Sequence, residues 1–410
     1  MSDGSAKLEA FRKEVRTWLR ENLPKGWGTP EYKDPERFST EAHELGKLWQ
    51  KKLYDAGYAG FGYPKEYGGV ERPPEEIAVI REELLRHGSP FGPLSLGLLM
   101  AAPTIMAHGE EWQKERFIPK ILSGEESWCE LFSEPNAGSD VANIQTTAVK
   151  EGDEWVVNGQ KIWTSMWEFS DWGILAARSD PNAPRHHNLT CFIVDCKSPG
   201  YTKLPLKQMT GTSEFGEEYF DNVRIPDKNR LGEVNKGWGV ILAGLMAERS
   251  GGGAFWGGMG GGRSATGGAA RGIGMLSVKA IIDLAKETHH YGRAVWDDPV
   301  FRQKIANLAI EVEAMRYSGL RMVAKMRKGI MPTNEASIVK NFQAEMRRRQ
   351  GDMVMEIIGA YSQLMRDSKR AIDGGEWVYQ MMRARGATIE MGTSEINRNI
   401  IAERVLGLPR

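Results

Sequence analysis

The feature that most constrains this chain is a double change of texture along its 410 residues: helical periodicity, then strand periodicity, then helical periodicity again. In the first part Leu8, Phe11, Val15, Trp18 and Leu19 recur at three- and four-residue spacing, with Lys and Arg on the opposite face, as an amphipathic helix requires. Further helices are expected over 40–56, 74–87 and 93–108, separated by Gly- and Pro-containing turns. From about 146 to 223 the runs are short, rich in Val, Ile, Thr and aromatics, and broken by turn residues. "AVKEGDEWVVNGQKIWTS" reads as a strand, a Gly-Asp turn, a strand, an Asn158-Gly159 hairpin signal and another strand. No helical patterns alternate with these strands, which disfavours a parallel sheet and favours an antiparallel barrel or sandwich of about 90–100 residues. After Pro226 the helices return, long and amphipathic, as in a bundle.

Composition excludes several alternatives. Lys and Arg together number 54 and Asp and Glu 54, so net charge gives no reason to expect a nucleic-acid or anionic-membrane partner. Cys129, Cys191 and Cys196 cannot form a disulfide framework and show no CxxC spacing, which fits reduced thiols in a cytoplasmic protein. Asp3, Glu9 and Glu14 argue against a targeting segment. The most apolar stretch, 91–107, is broken by Pro93 and Pro103 and falls short of the roughly 18 clean apolar residues of a membrane span. The expectation is a soluble cytoplasmic protein. Within 251–274 there are twelve glycines. Each costs a helix roughly 0.5–1 kcal/mol relative to alanine, so a loop or an interrupted helix is expected there. "GGGRSA" inside it is a degenerate dinucleotide fingerprint without the strand that the motif needs before it.

The densest polar constellation is "LFSEPNAGSDVANIQTTAV", followed by "NGQKIWTS". It sets Ser133, Gly138, Ser139 and Thr146 around a Pro-Asn-Ala-Gly turn, whose exposed N–H groups and hydroxyls suit a phosphate or a polar ring edge. Trp163 is placed on a strand where it could stack on a planar heterocycle. Taken alone, these are also ordinary turn and strand residues.

With its continuation "SDWGILAARSD", this region resembles the first signature and the flavin-facing β-domain of the acyl-CoA dehydrogenase family. "EEYFDNVRIPDKNRLGEVNKGW" is similar to that family's strand-to-helix passage, and "GTSEINRNIIAERVLGLPR" to its C-terminal signature. The resemblance covers nearly the whole chain. It implies an α+β fold: an N-terminal helical domain at 1–126, a middle antiparallel β-barrel or sandwich domain at 127–234, and a C-terminal four-helix-bundle domain at 235–410. It implies FAD as cofactor and α,β-dehydrogenation of an acyl-CoA thioester, with a carboxylate taking a Cα proton while hydride leaves Cβ for flavin N5. Electrons then pass to an electron-transferring flavoprotein. It also implies a tetramer, homomeric or built with a related chain; the balanced charge and the lack of an apolar span give the expectation of no nucleic-acid and no membrane partner.

The same resemblance assigns residues. In most members the base is a glutamate immediately before the Gly-Thr of the C-terminal signature, where this chain has Met391, a side chain that accepts no proton. A minority carries the base on a C-terminal-domain helix in a pattern like L-x-x-E-R. "LMAERS" puts Glu248 on that position and Arg249 on the adjacent substrate-site arginine. The backbone N–H at 391 is left to donate to the thioester oxygen, where enolate-like charge develops. Phe132, Ser133, Trp163 and Ser165 match flavin-edge positions, and Ser139 a position near flavin and CoA. Thr393 and Glu395 match residues that reach the nucleotide part. Arg293 and Glu356 stand near the positions that meet a neighbouring subunit's flavin, Glu356 where glutamine is frequent. Two other readings of the same fold are a flavin-bearing partner subunit of a heterotetramer and an oxygen-using flavoprotein.

Overall fold

The computed structural model describes residues 3–29, 31–32, 35–36, 38–90, 96–257, 277–326, 328, 330, 335–366 and 368–409. They form two compact units: Met1–Leu23, Pro35–Leu84 and Pro90–Glu248 make the first, and Pro24–Asp34, Leu85–Ser89 and Arg249–Arg410 the second.

The first unit begins with helices α1 (Asp3–Asn22), α2 (Thr40–Asp55) and α3 (Pro74–Arg86). The stripe seen in the sequence is the buried face of α1: Val15 and Leu19 have no exposure and pack with Trp49, Leu53, Tyr58 and Ile80. Ser39 caps α2 by accepting from Ala42 N at 3.2 Å. A π-helical turn, Gly97–Ala101, runs into α4 (Ala102–His108), and α5 (Glu111–Ser123) follows behind a Glu110/Gln113 capping box.

Eight strands form the sheet: β1 (Trp128–Leu131), β2 (Thr147–Glu151), β3 (Glu154–Ser165), β4 (Trp172–Arg178), β5 (Leu189–Asp195), β6 (Tyr201–Leu206), β7 (Phe215–Pro226) and β8 (Arg230–Leu231). Their order is β6-β7-β3-β2-β4-β5-β8, with β1 beside β4. Most pairings are antiparallel, as expected, but β1 and β2 both run parallel to β4. Parallel neighbours need a crossover, and the 132–146 connection together with β3 supplies it. "WGILAAR" on β4 is almost wholly buried because it packs on both faces. One face meets Leu131, Val157, Phe192 and Phe220; the other meets Ile105, Phe117, Ile118 and Val240 from the helices. All three cysteines are buried and free, with the sulfurs of Cys129 and Cys196 3.9 Å apart.

The Asn158-Gly159 signal is not a hairpin. β3 runs straight through it, and its register against β7 shifts between Val157 and Gly159, which makes a β-bulge. The reason is a close approach: a Cβ on Gly159 would come within 2.6 Å of the Thr146 Cα, and its φ is +151°.

Helix α6 (Gly237–Gly257) leads from the first unit to the second. It carries the first seven residues of the glycine-rich run, so that part is helical rather than a loop; 258–276, with the degenerate fingerprint, lie outside the described residues. The rest of the second unit holds α7 (Val278–Glu287), a two-stranded ribbon β9 (His289–His290) and β10 (Arg293–Ala294), α8 (Pro299–Met326), α9 (Glu335–Ile358), α10 (Glu376–Ala387) and α11 (Ser394–Ile400). Ile281, Leu284, Ile305, Leu308, Met346, Val354, Ile357 and Trp377 build its core. The ribbon turns at Tyr291-Gly292, both at positive φ, the primed geometry that suits the twist of paired strands.

Candidate functional site

In the first unit the structure gathers the segment Phe132–Glu134 against residues 145–146 and the middle of β3. Glu134 turns back through Pro135-Asn136 to pair with Ala137, by bonds of 3.1 and 3.0 Å. Its carboxylate accepts from Gln145 N at 2.5 Å, Thr146 N at 2.9 Å and Lys161 Nζ at 2.7 Å. Lys161, with no exposure, also donates to the Phe132 carbonyl at 3.1 Å, and Ile162 N donates to the Ser133 carbonyl at 2.9 Å. Burial pushes the Lys161 ammonium down to about 8, against the opposing pull of Glu134. Burial pushes the Glu134 carboxyl up, but the charge of Lys161 and the bonds from Thr146 and Gln145 outweigh it and leave Glu134 below its ordinary value. Neither residue stood out in the sequence. The readable signal is alternation: counting by twos from Trp155 and Val157 puts Lys161 on the inward face, where a charge needs a partner.

One residue further, Trp163 sits at φ +64° where the register against β7 shifts again, between Ile162 and Thr164. A bulky side chain in the left-handed region is strained, and here the kink leaves the indole 54% exposed, in a T-shaped contact with Phe215 at 5.8 Å between centroids. Phe132 is buried, Ser133 and Ser165 are half-buried, and Ser139 is exposed beyond the turn. The Ser133 and Ser165 hydroxyls make no hydrogen bond to another described residue. An exposed indole, with Ser165 two residues along β3 and the Ser133 carbonyl bonded to the adjacent Ile162, fits a planar heterocycle with polar edges, such as a flavin ring.

In the second unit, Met391 and Gly392 take φ of +54° and +85°, so the C-terminal signature opens on a left-handed turn. Lys340 Nζ on α9 donates to the Gly392 carbonyl at 2.6 Å, and Asn397 Nδ2 donates to the same oxygen at 2.7 Å. Thr393 caps α11 by accepting from Ile396 N at 3.2 Å. Glu395 is exposed beside Arg398. Glu390, next to Met391, is bound by Arg383 at 2.8 Å. Arg293 is exposed on the β9–β10 ribbon, and Glu356 is exposed and paired with Lys304. Glu248 and Arg249 lie on the unbroken α6; their side chains are outside the described ones.

Family models for the N-terminal, middle and C-terminal domains of acyl-CoA dehydrogenase match residues 5–125, 129–223 and 235–406. The chain belongs to the acyl-CoA dehydrogenase family. Membership implies a flavin cofactor and oxidoreductase chemistry. Among relatives, acyl-CoA dehydrogenase IpdE1 of Mycobacterium tuberculosis is 34% identical over 98% of both chains, and its namesake in Mycolicibacterium smegmatis is 34% identical with the same coverage. Among solved structures, the Tcur3481-Tcur3483 steroid acyl-CoA dehydrogenase aligns at a TM-score of 0.76 and 29% identity, over 99% of this chain and 98% of that one. The ChsE4-ChsE5 complex from Mycobacterium tuberculosis aligns at 0.74 and 29%, over 98% of each. The helical N- and C-terminal domains flanking a β-domain are this family's fold. No helix among the described residues is long and apolar enough to cross a membrane.

Proposed function

We propose that the protein binds FAD and dehydrogenates an acyl-CoA thioester to the 2-enoyl-CoA, with Glu248 as base. The observation that carries this reading is the pairing of two sequence positions: methionine at 391, where most of the family keeps its glutamate, and Glu-Arg at 248–249, where a minority keeps it. Two features of the structure support it: α6 is unbroken through 248, and the neighbouring carboxylate, Glu390, is already engaged by Arg383. In this reading Glu248 takes the Cα proton, Arg249 and Ser139 help seat the substrate, and the N–H of Met391 donates to the thioester oxygen as charge builds there. The bound flavin supplies the hydride acceptor at N5. Phe132, Ser133, Trp163 and Ser165 hold its ring, Thr393 and Glu395 its nucleotide part, and Arg293 and Glu356 the boundary with a neighbouring subunit. The domains divide at 126/127 and 234/235. Electrons leave to an electron-transferring flavoprotein, and the protein works in the cytoplasm as a tetramer.

Glu248→Gln is expected to keep its fold and FAD but to lose flavin reduction by at least about 100-fold, the low end of general-base contributions. Anaerobic stopped-flow bleaching with an acyl-CoA panel reads this, and Met391→Glu placed in the Glu248→Gln background is expected to restore part of it. Full reduction in Glu248→Gln would sink the assignment. A second reading, a flavin-bearing subunit beside a catalytic relative, is favoured by Met391 and by the two-component complex among the similar structures. A wild type that holds FAD but is inert across the panel selects it.

A further inference from the structure

We propose that Lys161 and Glu134 are positioning residues that hold both walls of the flavin-ring site, the 132–133 segment and Trp163, in one buried polar clamp. The inference rests on the flavin reading above and goes beyond it, since neither residue is assigned there to cofactor or substrate.

A buried ion pair is worth little on balance. Desolvation cancels most of its attraction, and an apolar pair of similar size is often as stable, so such a pair is weak evidence of a stabilising role. A fully satisfied pair can still specify geometry, because each bond is directional and each missing bond is costly. Here the Glu134 carboxylate takes three donors, from Gln145 N, Thr146 N and Lys161 Nζ. Lys161 adds the bond to the Phe132 carbonyl, and its strand neighbour Ile162 bonds the Ser133 carbonyl. The next residue is Trp163, at the strained register shift. The polar atoms of this clamp thus fix, within two residues on either side, the turn bearing Ser133 and the kink that exposes the indole. Gly159 allows it, because only a residue without Cβ lets β3 approach Thr146 this closely.

Glu134 lies at 2.7 Å from the lysine, Cys191 is a buried thiol pushed up to about 12, and the buried Glu218 on β7 stands opposite Lys161 in the strand register. Losing the proton of Lys161 leaves an amine that can still donate to both acceptors, but removes the positive charge that holds the Glu134 carboxylate, while the strand remains in place.

The test uses the full-length protein with added FAD. Glu134→Gln and Lys161→Met are compared with wild type for FAD affinity, for the visible circular dichroism of bound flavin, and for far-ultraviolet dichroism of the apoprotein. Both variants are expected to keep the wild-type fold, to bind FAD at least about 10-fold more weakly, and to shift the visible bands. The double variant is expected to be no worse than the poorer single one, since the two act as a unit. In wild type the visible bands are expected to change between pH 7 and 9, a change that Lys161→Met lacks. Should Lys161→Met fail to fold, the isosteric Glu134→Gln carries the test alone. Wild-type affinity and spectrum in a folded Glu134→Gln overturn the proposal. A wild type that binds no flavin overturns the flavin reading itself, before any variant is compared.

Discussion

The carboxyl group of Glu218 on β7 has no solvent exposure, and neither oxygen makes a hydrogen bond of good geometry among the described residues. Burial pushes it up to about 7, although Tyr201, Lys203 and Thr164 nearby favour its ionised form. The sign of the pH effect follows. The folded chain holds this proton up to about pH 7 while the unfolded chain releases it near 4.5, so stability falls as pH rises through that window and levels off above it. The loss is on the order of 3 kcal/mol, at about 1.4 kcal/mol for each pH unit of the window. Glu218→Gln is expected to flatten this dependence and to be more stable than wild type at pH 8, with little difference at pH 4.5. Urea melts at the two pH values check it, and a variant less stable at pH 8 contradicts it. Glu218, like Lys161, was hidden in the sequence because a charged residue in a strand reads as a solvated edge until its face is known, and Glu134 because a carboxylate in a Pro-Asn turn reads as solvent-facing. Ser133, Trp163 and Ser165 could be picked out because their motif resembles a known one, not because their chemistry announces itself.

At the scale of elements, the long helices were legible because their core faces repeat over many turns: α2 and α3 lie where periodicity put them, to within a residue or two, and α1 contains the whole stripe from Leu8 to Leu19. The strands were legible too, but not their joints. Asn-Gly between apolar runs signals a tight turn, and nothing local shows that Thr146 waits across a space only a glycine can leave. Of the two readings open for the glycine-rich run, a loop or an interrupted helix, its start at 251–257 takes the helical one: glycine lowers helix propensity, yet the preceding turns of α6 carry the helix through to Gly257. Gly159→Ala tests the bulge. The added methyl would meet Thr146 Cα, Cβ and Oγ1 at 2.5–2.7 Å, so the strands must part or the bulge must move. The expected cost is more than about 1 kcal/mol, above the range in which glycine replacements are benign. Because β3 carries both Lys161 and Trp163, FAD affinity should fall with stability. Wild-type denaturation midpoint and affinity together would count against the clamp's dependence on this approach.

For the whole molecule, the order helix, sheet, helix was legible because each texture persists for dozens of residues. Legible in no pattern was the inclusion of Pro24–Asp34 and Leu85–Ser89 in the second unit. These short excursions are tied by contacts such as Trp27 Nε1 to the Gly88 carbonyl at 2.9 Å, which have no period to betray them. The second unit also leaves apolar surface unused. On α8, Ile310, Tyr317 and Leu320 are 67%, 61% and 46% exposed, and a spacing of seven and then three residues puts them along one side of the helix. Isolated exposed apolar residues are ordinary, but an aligned set on a long helix is the kind of surface that a second copy or a related chain covers. These side chains are already about half covered, so closing over each is worth roughly 1–2 kcal/mol, and three of them, doubled by symmetry, matter to assembly. Ile310→Glu with Tyr317→Glu places charges where that surface would close. The wild type is expected to sediment as a tetramer at micromolar concentration and the double variant as smaller species, with each protomer's far-ultraviolet dichroism unchanged. A wild type that sediments as a flavin-loaded monomer removes the assembly proposal. A double variant that stays tetrameric moves the interface off this face of α8.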